Sequence, residues 1–130
     1  MRVFEYGVIR FVPNVERQEF INVGILISCQ QQRILQSDYA LDVDRIMAFA
    51  PNTDLRFLER HLECFKKVCH GEGPIGQLPL RERFHWLAAP RSTILQVSPL
   101  HAGLAKKDDS LEKKLEQLMN KMIGVPKNGR

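Results

Sequence analysis

From Val3 to Val12 the chain alternates in the manner of a strand, with Phe4, Tyr6, Val8, Arg10 and Val12 on one face and Val3, Glu5, Gly7, Ile9 and Phe11 on the other. Pro13-Asn14 stops the pattern, and the polar stretch Val15 to Glu19 reads as a connection. Phe20 to Cys29 is apolar on both faces apart from Asn22 and Ser28, as expected of a central strand. Gln30-Gln31-Gln32 turns the chain, and Arg33 to Tyr39 returns as a third strand. Connections this short favour an antiparallel meander, because parallel pairs need long crossovers.

Helical spacing then takes over. Asp42 to Ala50 predicts a short helix closed by Pro51. A longer one follows, capped by Asn52 or Thr53, with Leu55, Leu58, Leu62, Phe65 and Cys69 on one stripe. Gly71 to Leu80 reads as an exposed Gly/Pro-rich loop. Arg83 to Ala88 and Thr93 to Val97 predict two further strands, joined by Ala89-Pro90-Arg91-Ser92, and Ser98 to Gly103 reads as a loop. A last helix carries Leu111, Leu115, Leu118, Met122 and Ile123, with either an Asp109–Glu112 capping box or Ser110 at its start. Gly124 and Pro126 end it. The expected fold is α+β: a mostly antiparallel sheet of about five strands in the order βββααββα, with helices packed on one face. It forms one domain over residues 1–126, followed by a frayed tail over residues 127–130.

Composition narrows the class without reaching an activity. At 130 residues, 44% hydrophobic and 26% charged, the chain matches an ordinary globular domain. Its longest apolar run, around Val23 to Ile27, falls far short of the roughly 18 residues of a membrane span, so no membrane partner is expected. The net charge of +4 rises gradually toward the C-terminus with no long basic run, which supports nucleic-acid binding only weakly. Three cysteines are an odd number for a disulfide framework, and the segment after Met1 is no signal peptide. A reduced cytoplasm is therefore the expected address.

Two polar segments flank the Thr93–Val97 strand. Ala89 to Thr93 offers the Arg91 guanidinium and the hydroxyls of Ser92 and Thr93; Ser98 to Gly103 adds Ser98 and the His101 imidazole. A forked guanidinium beside hydroxyls suits phosphate or carboxylate. Arg10 sits on an apolar strand face and needs a partner there, with Glu19 and Asn22 as candidates. His61, Cys64, Cys69 and His70 lie close in sequence but match no zinc spacing, so no metal is expected. Neither a Walker A loop, nor G-x-G-x-x-G, nor G-x-S-x-G occurs. No catalytic residue and no cofactor are assigned.

Three blocks carry a resemblance: Tyr6-Gly7-Val8-Ile9-Arg10-Phe11-Val12-Pro13, Glu19-Phe20-Ile21-Asn22-Val23-Gly24-Ile25, and Ala89 to Pro99 with His101 and Gly103. Together they resemble the bacterial domain-of-unknown-function family three-zero-three-seven over nearly the whole chain. The resemblance implies Arg10, Glu19, Asn22, Gly24, Arg91, Ser92, Gln96, Ser98 and His101 as motif positions. It also implies a genomic setting beside a HipA-like kinase. The leading expectation is thus a non-catalytic partner-binding or regulatory module acting with such a kinase in a toxin–antitoxin-like pair. The alternative is a small enzyme or sensor that holds a phosphorylated or carboxylated ligand through Arg10, Arg91, Ser92 and His101. Nucleic-acid binding is the third.

Overall fold

The computed structural model describes residues 2–91 and 93–124. Ser92 and the expected tail, with Pro126, lie outside the described residues. Three strands open the fold: β1 (Arg2–Phe11), β2 (Ile21–Cys29) and β3 (Ile34–Tyr39). They pair antiparallel as β3-β2-β1, with Val8 opposite Ile25 and Leu26 opposite Ser37. The register shifts between Ile9 and Arg10, where Ile9 faces Gly24 and Arg10 faces Asn22. Val23 is the extra residue of that bulge, and side-chain parity along β2 reverses across it.

Four helical segments follow: α1 (Val43–Phe49), α2 (Leu55–Cys69), the short α3 (Gly73–Gly76) and α4 (Leu80–Ala88). The chain then returns to the sheet as β4 (Leu95–Val97) and β5 (His101–Ala105), and closes with α5 (Leu111–Met122). The class is α+β with five antiparallel strands, and the blocks come in the expected order: three strands, helices, two strands, a helix.

Local assignments differ in four places. Arg83 to Ala88 is not a strand but the last six residues of α4, whose buried residues Phe84 and Leu87 are three apart, the spacing of one helical face. The Gly71–Leu80 segment holds a helical turn, and the Ser98–Gly103 segment runs into β5. The α2 cap is Asp54, whose carboxylate accepts from the backbone N–H of Arg56 and Phe57. Of the two readings at α5, Ser110 is the cap, accepting from the Lys113 N–H at 3.1 Å.

β4 and β5 lie along the same edge of β1. Arg10 faces Gln96 in β4, and Tyr6 faces His101 in β5, so the two behave as one strand broken by an extra residue at Ser98–Leu100. Ser98 closes the break: its buried hydroxyl accepts from the Val8 N–H at 2.9 Å and its own N–H donates to Val8 O. The break needs room at Gly7, where a Cβ would stand 2.5 Å from the Val97 Cγ1.

Helices cover both faces of the sheet rather than one. Ile9, Phe11 and Leu26 pack with Leu58, Leu62 and Phe84 of α2 and α4; Phe4, Val8, Ile25 and Ile27 pack with Leu111, Met119 and Ile123 around α5. A central strand that is apolar on both sides requires this arrangement, since either face left bare would expose a row of Ile, Leu and Val.

Candidate functional site

Arg10 and Arg91, far apart in sequence, line one cavity of about 330 Å3 at the open end of β1. Register explains the meeting. The β1–β4 pairing sets Gln96 opposite Arg10 on the same face, and the short link before β4 brings Arg91 to the same corner. The β1–β2 connection closes the cavity with Phe20 and Gln18; Gln18 holds a left-handed φ of 58°, uncommon for a residue with a side chain. Among the described residues lining the cavity none is acidic.

Each guanidinium rests on an aromatic ring. Arg10 Cζ lies 4.1 Å from the Phe20 centroid, and Arg91 Cζ lies 4.2 Å from that of Trp86. Such stacking holds a planar cation in place while leaving its in-plane N–H groups available. Arg91 also donates to the Trp86 carbonyl. Arg10 Nε is buried and finds no hydrogen-bond partner among the described residues. Burial pulls the Arg91 pKa down from its ordinary value, the mark of a cation that has lost hydration without gaining a counter-charge. Gln96 donates through Nε2 to Thr93 O at 3.0 Å, which fixes its amide at the cavity wall.

The other expected site residues fall elsewhere. The Arg10–Glu19 pair does not form: Arg17, two residues from Glu19, takes its carboxylate at 2.7 Å, and Arg10 turns onto Phe20 instead. Proximity in sequence wins, because two exposed side chains on one loop meet at little entropic cost. That bond lowers the Glu19 pKa and raises that of Arg17. Asn22 is the cross-strand neighbour of Arg10, but its amide donates to Met122 O at 3.3 Å, tying α5 to the sheet. Ser98 serves the strand break. His101 stacks on Tyr6 at 5.3 Å on the exposed β5 edge and does not line the cavity. The two polar segments around β4 therefore do not form one site; Arg91 belongs to the cavity and Ser98 with His101 does not.

Phe20 and Trp86 were missed as site residues. Each is about two-fifths exposed, and in the sequence each reads as one more apolar position of an expected strand. Among the described residues no three His, Cys, Asp or Glu side chains come together as metal ligands. No helix among them is long and apolar enough to cross a membrane.

Comparison with known proteins bears on the same blocks. Residues 6–123 match the family described as "Protein of unknown function (DUF3037)". The chain belongs to this family. No curated protein and no solved structure matches it. In this DUF3037 protein both cavity arginines, and the paired stretch of β1 and β4 that brings them together, lie within the matched region.

Proposed function

We propose that this DUF3037 protein is a binding module whose site is the Arg10–Arg91 cavity and whose ligand presents a phosphate or carboxylate. One observation carries the reading: two guanidiniums, each backed by an aromatic ring, line a pocket with no acidic residue among its described lining. Two cations lining one cavity without a counter-charge favour an anion there. Charge-assisted, forked N–H contacts are the chemistry such an anion would use. Calorimetric titration with inorganic phosphate and with acetate tests this. Arg10→Gln and Arg91→Gln should each weaken binding by about tenfold or more, the worth of a charged hydrogen bond. Equal affinity in the parent and both variants would sink the reading.

A second reading keeps the kinase expected from the family resemblance, and a different surface favours it. β5 lies at the sheet edge with Leu104 62% exposed beside its cross-strand partner Val3. An apolar, unprotected edge strand suits a protein that adds a strand of its own. Affinity purification of the tagged chain from its own cells should recover the HipA-like kinase in near-equal amount, and Leu104→Glu should lose it. Recovery of the chain alone would count decisively against this pairing.

A further inference from the structure

Arg91 lines two spaces. On one side of β4 is the cavity it shares with Arg10; on the other is a groove of about 520 Å3 between α2 and α4, walled by Phe57, Phe65, Trp86 and His61. Leu95 lines the groove and Gln96 the cavity, while Arg91, ahead of the strand, borders both. Groove and cavity are each of a size that takes small organic ligands.

The groove is aromatic and open. Phe57 and Trp86 are 40% and 42% exposed, although each could gain by burial. Phe57 is held in place by the His61 ring, 4.2 Å away. His61 Nδ1 lies 3.0 Å from the Phe57 carbonyl. A carbonyl can only accept, so Nδ1 is the donor in this contact, which ties the ring to its own helix. A flat ring would find stacking surfaces on both walls of the groove.

We infer that the ligand of this site is a nucleoside monophosphate or a close chemical equivalent, with its phosphate between Arg10 and Arg91 and its base in the Phe57–Trp86 groove. The inference rests on the anion-binding reading above and adds the second half of the ligand. Arg91 is the hinge between the halves. Its guanidinium lies 4.2 Å from the Trp86 centroid, so a phosphate it holds is within one sugar's reach of the aromatic wall. Stacking on aromatic side chains and on arginine is how proteins hold a base without reading every edge.

Trp86 is the only tryptophan of the chain, so its fluorescence reports on the site alone. The intact protein is titrated with inorganic phosphate, ribose 5-phosphate, adenosine, and AMP, GMP, CMP and UMP. At least one nucleotide should bind about tenfold tighter than ribose 5-phosphate, the worth of a stacked base. Phe57→Ala should erase that advantage and leave phosphate binding intact, and Arg10→Gln should weaken nucleotide and phosphate alike. Ribose 5-phosphate binding as tightly as every nucleotide would overturn the inference and leave the anion site standing. Adenosine binding as tightly as AMP, with Arg10→Gln silent, would overturn both. No response to any of the seven, with calorimetry equally flat, would overturn both as well.

Discussion

A buried thiol and a close-packed glycine show how single positions are constrained. Cys69 lies against the α2 core, and burial pushes its thiol from the ordinary 9.0 to about 11. The unfolded chain therefore releases this proton before the folded one does. The stability so contributed is complete below about pH 9 and is lost as pH rises toward 11. Urea midpoints measured from pH 8 to 11 should fall, and Cys69→Ala should flatten that fall; an unchanged slope would refute the assignment. Tyr39 acts in the same direction, its hydroxyl partly buried and donating to Glu63 at 2.6 Å, so its pKa is also raised. Gly24 needs its missing side chain for a different reason. A Cβ there would stand 2.5 Å from the Asp38 backbone oxygen, an atom that the β2–β3 ladder holds in place. Arg10 was legible at this scale as a cation among apolar neighbours. Its choice of Phe20 over Glu19 was not, because a side chain's partner depends on where a loop folds back.

At the scale of elements, ends and capping decide more than propensity. α2 begins where Asp54 can accept from two backbone N–H groups, and it ends where Arg83 donates to the carbonyls of Val68 and Cys69 at 3.2 and 2.9 Å. Both ends of the longest helix are thus satisfied by side chains, one local and one borrowed from α4. Asp54→Ala should cost ~1 kcal/mol in thermal or chemical unfolding, whereas Asn52→Ala, at one of the two caps expected from the sequence, should cost much less. The strand expected at Arg83–Ala88 shows why short segments mislead. Phe84, Trp86 and Ala88 alternate, yet Leu80, Phe84 and Leu87 also share a helical face, and nine residues satisfy both periods. Burial breaks the tie: Phe84 and Leu87 enter the core together while Trp86 points to the groove.

For the whole molecule, the consequence of α5 crossing to the second face is that neighbouring residues of β2 serve separate cores. Leu26 packs under α2 and Ile25 under α5, and neither is exposed. Ile25→Ala and Leu26→Ala should each destabilise by ~2–5 kcal/mol, as only a sheet covered on both sides requires. A cheap substitution at either site, read from urea unfolding, would contradict the two-sided packing. Periodicity and turn residues by themselves determined the α+β class, the opening meander and the stripes of α2 and α5. These are local properties, set by residues within one or two turns of each other. The tertiary structure alone decided which face α5 covers, that α4 is a helix, and that Arg10 meets Arg91 while Ser98 and His101 stay apart. The physical reason is that an apolar stripe states that an element must be buried but not against what. The Arg10–Arg91 cavity, in turn, depends on the β1–β4 register, which joins two segments distant in sequence, although the ring under each cation comes from a nearby stretch of chain.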